Sequence, residues 1–124
     1  MFLWSAISGC YHPQKICIPR NDEEVAKEWI LANLQCERHL TPYSSWIDWA
    51  DYCPAEPLGF FVLSVKRGSE PHTLFERVPI ELWQAFKIAD SAGHFFATEI
   101  RKPSYHFRLA DELTADAPEL TCKP

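Results

Sequence analysis

Apolar residues recur three and four apart at Leu82, Ala85, Phe86 and Ala89, with Trp83 on the flank of the stripe. That spacing is the period of a helix with one buried face. Pro79 stands where a first helical turn has no use for its missing N–H, and Glu81 follows near the positive end of the dipole. Gly93 offers a left-handed stop, so the pattern predicts a helix over residues 79–92. The period then changes. Tyr105, Phe107 and Leu109 alternate with Ser104, His106 and Arg108, and Phe96, Thr98 and Ile100 match them across a turn near Lys102 and Pro103. A hairpin over residues 96–109 is predicted, with Ile100, Tyr105 and Phe107 on its apolar face and Glu99 opposite His106 on its solvated one.

Upstream, residues 2–8 and 14–18 read as a strand and a short return strand. Asn21 and Glu24 form a capping box that opens a helix to about residue 37, with Val25, Trp29, Ala32 and Cys36 on one face and Ile30 beside them. Residues 58–65 are nearly all apolar, which predicts a central strand buried on both sides. Residues 66–69 turn the chain, and 73–77 read as a short strand. Residues 40–57 carry three prolines and much aromatic surface, and read as a long connection with one helical turn through Trp46 and Trp49. The expected fold is α+β: a mainly antiparallel sheet with two helices packed on one face, in the order ββα-ββα-ββ. One domain is expected over residues 1–110, followed by an acidic, loosely held tail over 111–124.

Composition narrows the function. The chain has 124 residues, 47% hydrophobic and 14% aromatic, enough for one core. Of the net charge of -5, the last fourteen residues hold -3 (Asp111, Glu112, Asp116 and Glu119 against Lys123), leaving -2 for the body. Neither part has the basic character of a nucleic-acid binder. No stretch reaches the roughly 20 apolar residues of a membrane span. Five cysteines at irregular spacings, without C-x-x-C, suit a reduced, cytoplasmic protein. Ile7-Ser8-Gly9-Cys10 is locally similar to a lipoprotein processing site, yet only six residues precede it and none is Lys or Arg.

Three groups of residues could carry chemistry. Tyr43, Trp46, Asp48, Trp49, Asp51 and Tyr52 concentrate aromatic and acidic side chains in one segment, the composition of a protein-binding surface, although the two tryptophans could equally plug the core. Glu99 and His106 form a possible acid–base pair with Arg101 and Arg108 beside it to hold an anion, though charged cross-strand pairs also occur on any solvated sheet. Cys10, His12, Cys36 and His39 supply four zinc-ligand types at unfamiliar spacings. Cys53 is a poor thiol nucleophile, because Pro54 behind it has no N–H for an oxyanion hole. Glycine-rich phosphate loops, dinucleotide fingerprints and metalloprotease or hydrolase motifs are missing from the sequence. The expectation is a protein that binds another protein stoichiometrically, as an inhibitor, immunity factor or adaptor, with no cofactor. A small hydrolase using Glu99 and His106 is the second expectation and a zinc-stabilised module the third. The sequence leaves oligomeric state open.

Overall fold

A computed structural model of the chain describes residues 17–112. The expected strand over 2–8, residues 14–16 of that over 14–18, and the tail from residue 113 lie outside the described residues; residues 17 and 18 are not in a strand. Helix α1 (Glu23–Asn33) leads into four strands, β1 (Glu37–Leu40), β2 (Ile47–Ala55), β3 (Leu58–Val65) and β4 (Leu74–Val78). Helix α2 (Ile80–Ile88) follows, then α3 (Ala92–Phe95), which continues as a wider π turn over Phe96–Ile100. Short 3-10 turns at Pro103–Tyr105 and Ala110–Glu112 end the described chain. The strands form one antiparallel sheet in sequence order.

The fold is mixed α+β, as the sequence indicates, but helices cover both faces of the sheet. β3 explains why. Its residues point alternately to opposite sides, and five consecutive ones, Gly59–Leu63, are buried. Phe61 and Leu63 join Ile47, Ala50, Tyr52, Phe75 and Val78 in a core closed by Trp83 and Phe86 of α2 and by Phe96 and Ile100. Phe60 and Val62 point the other way, into a second core with Cys53, Leu74, Phe107 and Ala26 and Ile30 of α1. Phe61 is the hub of the first core. Its ring lies 5.2 to 6.2 Å from those of Phe75, Trp83, Phe86 and Phe96.

Each helix is turned from its expected face. Asp22, not Asn21, caps α1 by accepting from the Val25 N–H, and the helix buries Ala26 and Ile30 while Val25 is 44% exposed. In α2 the buried residues are Trp83 and Phe86, with Leu82 only partly covered. Trp83 therefore lies at the centre of the buried face and not on its flank.

The 96–109 hairpin does not form. Phe96 and Ile100 are four apart, so a helix serves them as well as a strand, and Ser91 caps this helix by accepting from the His94 N–H. Phe107 is nevertheless buried, because the segment after Tyr105 runs along β4: His106 bridges Phe75, and the Phe107 N–H donates to the Leu74 carbonyl. Half of the supposed connection over 40–57 is β2, whose hairpin to β3 turns through a cis Glu56–Pro57 bond.

Pairing of β1 with β2 also overturns the reduced-cysteine reading. The register sets Glu37 opposite Tyr52, which makes Cys36 and Cys53 the next facing pair, and they form a disulfide. Facing residues that exchange no hydrogen bonds approach to roughly 4.5 Å between Cα atoms, and here the separation is 4.2 Å. Cys17 is disulfide-bonded as well. Among the described residues, no helix is long and apolar enough to cross a membrane.

We predict that Phe61→Ala destabilises the protein by about 3 to 5 kcal/mol in a denaturant titration, the range for emptying a buried aromatic site. Val25→Ala on the exposed flank of α1 should change stability by no more than about 0.5 kcal/mol. Similar losses at both positions would contradict this account of the core.

Candidate functional site

Two segments far apart in sequence, residues 39–46 and 86–94, wall a cleft of about 590 Å³. Its first wall is the loop from β1 to β2. Thr41 is buried and anchors the loop, its hydroxyl donating to the Ile47 carbonyl at 2.8 Å while its N–H donates to the Asp48 carbonyl. Ser44 Oγ accepts from the Ile47 N–H at 3.0 Å and, more weakly, from that of Trp46. These bonds hold a tight loop and leave its tip free: Tyr43 is 100% exposed and Leu40 is 63% exposed.

The second wall is the turn from α2 to α3. Trp46 reaches across to it, stacking edge-on against Phe96 at 5.8 Å. Gly93 makes this approach possible, since a Cβ there would lie 2.3 Å from the indole Nε1. His39 closes the inner end with its ring edge-on to Trp83 and Phe86. Near it, Glu37 accepts from the Trp83 indole N–H and from Lys87, both at 2.8 Å, tying β1 to α2. The Lys87 and then the Trp83 hydrogen bond hold the Glu37 carboxyl below the usual carboxylate range.

The six expected binding residues separate. Tyr43 and Trp46 line the cleft. Asp48 lies at an irregularity in β2, half-buried. Trp49 lies beneath the Arg38 guanidinium, 4.5 Å away, and Asp51 is buried and bonded to the same guanidinium at 2.8 and 3.0 Å. Tyr52 belongs to the core, stacked on Trp83, with its hydroxyl donating to the Val78 carbonyl.

Nor do the expected acid–base and metal sets assemble. Glu99 lies on the π turn, whereas His106 packs against His72, ring centroids 4.4 Å apart. His72 Nδ1 is 3.1 Å from Glu23 Oε1, and Glu23 Oε2 accepts from the N–H groups of Thr73 and Leu74. Arg101 is committed to Glu70, and Arg108 lies beside Glu76, so the two arginines do not converge on one anion. Cys36 and Cys53 are joined in the disulfide, which removes one as a zinc ligand and the other as a nucleophile. Cys10 and His12 lie outside the described residues. Among the described residues, no three His, Cys, Asp or Glu side chains are grouped to hold a metal ion.

Sequence reasoning found the loop wall through its aromatics and missed the other wall. Gly93 was the available signal: a glycine read as a helix stop is in fact a contact point. Comparison with protein-family models, curated proteins and solved structures gives no match to the chain.

Gly93→Ala is expected to destabilise the protein by about 1 to 3 kcal/mol, the usual cost of overpacking, and to shift the Trp46 fluorescence as the indole is displaced. Unchanged stability and emission would show that the contact is not tight.

A second expectation concerns pH. Burial, then the adjoining His72, pushes the His106 pKa down, with Glu23 and Glu112 opposing. The unfolded imidazole therefore takes up its proton first, near pH 6.5. The stabilising contribution of neutral His106 is complete above that pH and is lost as the pH falls. Melting temperature measured from pH 7.5 to 5.5 should drop more steeply for the native protein than for His106→Gln; parallel curves would rule this out.

Proposed function

We propose that the protein acts by stoichiometric, non-enzymatic binding to another protein, as an inhibitor, immunity factor or adaptor does, and that the cleft between the β1–β2 loop and the α2–α3 turn is the contact site. The observation that carries this reading is Tyr43, wholly exposed on the rim of an open cleft with the Trp46 indole in its wall. Burying that ring gains nothing for the isolated fold, whereas tyrosine and tryptophan anchors supply much of the energy of protein interfaces. Exposed Leu40 enlarges the apolar rim, and Ile88, 84% exposed, adjoins two lining residues in the chain, Lys87 and Ala89. A partner's protruding side chain or loop suits a cleft of this size.

The chemistry of the lining favours binding over catalysis. Both serine hydroxyls seen to bond there, Ser44 and Ser91, cap backbone N–H groups. Among the described residues, no serine hydroxyl bonds a histidine ring nitrogen, the pairing that activates a nucleophile. The disulfides support a working environment outside the reducing cytosol.

The test is a photo-crosslinking residue at position 43, with one at exposed Leu31 on α1 as control. A partner captured from position 43 and not from 31 should lose about 2 kcal/mol of affinity to Tyr43→Ala, with the melting temperature unchanged. Equal capture from both positions, or an affinity indifferent to Tyr43→Ala, defeats the proposal.

A further inference from the structure

Away from the cleft, three arginines gather around one carboxylate. The segment before α1 brings Arg20, β4 brings Glu76 and Arg77, and the segment running along β4 brings Arg108. Arg20 and Glu76 are both buried and form a two-pronged pair at 2.9 and 3.1 Å, and Arg20 also donates to the Arg108 carbonyl at 2.8 Å. Glu76 additionally accepts from the Arg108 N–H at 2.9 Å. Burial opposes ionisation of Glu76, but the Arg20 and Arg108 hydrogen bonds prevail and keep its pKa low. Its oxygens are thus occupied. The Arg108 Nε is left 3.6 Å away, beyond hydrogen-bond reach, and the Arg77 guanidinium donates to the Ser104 carbonyl, a neutral acceptor. The cluster carries a surplus of two positive charges.

Two further observations mark Arg77. Glu76 and Arg77 together oppose Phe60 in a bulge between β3 and β4, and Arg77 has φ of 61°, a conformation in which glycine is the usual bulge residue. Its guanidinium is also partly desolvated beside Arg108 and Arg20, which lowers its pKa. In addition, the Nε atoms of Arg20, Arg77 and Arg108 are all buried without a hydrogen-bond partner among the described residues. Strain, like-charge crowding and unmet donors thus meet at one place. For stability alone a glycine at position 77 would relieve both the strain and the repulsion.

We propose that Arg77 and Arg108, backed by the Arg20–Glu76 pair, form a receptor for a dianionic oxyanion of the phosphate type. Paired guanidinium forks match the geometry of phosphate oxygens, and a dianion balances the surplus of two charges. Arg20 and Glu76 act as positioning residues, because the buried pair fixes the backbone at 76 and 108 from which the other two side chains extend. This site is independent of the cleft.

The experiment is a titration of the whole protein with inorganic phosphate at constant ionic strength, followed by amide NMR and melting temperature, with acetate and chloride as the other arms. The expected result is saturable shifts centred on residues 77 and 108, with a rise in melting temperature that acetate and chloride do not reproduce. Arg77→Gly should weaken phosphate binding by about tenfold or more while folding at least as stably as the native chain. Arg108→Gln, which keeps the backbone N–H to Glu76, should weaken it similarly. Absence of saturable shifts, an equal response to acetate, or undiminished binding in both variants overturns the proposal.

Discussion

Burial of both faces of β3 is the constraint on which the rest of the structure depends. Antiparallel sheets commonly leave one side in water, but Phe60 and Val62 on one side and Phe61 and Leu63 on the other leave this chain no such option. One helix cannot cover two faces. α1 therefore covers one, and α2 with the helix after it covers the other, where four aromatic rings surround Phe61. The disulfide lies toward the sheet's edge and ties β1, a strand of only four residues, to β2. A crosslink across a separation of 17 residues stabilises by about 3 kcal/mol on a chain-entropy view, which matters for an edge strand with so few ladder bonds.

What the sequence made legible was whatever a single local signal decides. A nearly all-apolar run gave β3 its observed limits, and a proline with an acidic first turn located α2. The failures share a cause. Phe96 and Ile100 satisfy two periods at once, and only the packing of Phe61 beneath them selects the helical one. β2 was hidden by Pro54 and the neighbouring prolines; Pro54 is exposed near the end of the strand, opposite Gly59, where the ladder is about to turn. Once β2 is missed, Cys36 and Cys53 cannot be seen to face each other, so their disulfide is missed along with the strand.

The candidate site was legible only by halves. Tyr43 and Trp46 were conspicuous because aromatic residues amid polar ones attract attention, yet nothing in the local sequence distinguishes the exposed Tyr43 from the buried Tyr52. That distinction is made by partners distant in the chain: the Val78 carbonyl and the face of Trp83 for Tyr52, open solvent for Tyr43. His106 was singled out with the wrong companion. Its neighbours come from the start of α1 and from the approach to β4, a convergence that no single hairpin could bring about. Arg108 likewise belongs to an arginine group whose members stand at positions 20, 77 and 108, gathered around Glu76.

The contact between Gly93 and Trp46 also constrains how this sequence can diverge. With the indole nitrogen where a Cβ would sit, the space is shared between two positions that are 47 apart in the chain, and whichever takes more leaves the other less. Drift at either position alone is penalised. A larger residue at 93 becomes tolerable only after Trp46 has been exchanged for something shorter, and that exchange removes the wall of the cleft. Descendants of this chain that keep the tryptophan must therefore keep the glycine, while those that lose the glycine have changed the shape of the surface as well. The two positions behave as one inherited character, and the pair, rather than either residue, is the signature by which a lineage retaining this cleft would be known.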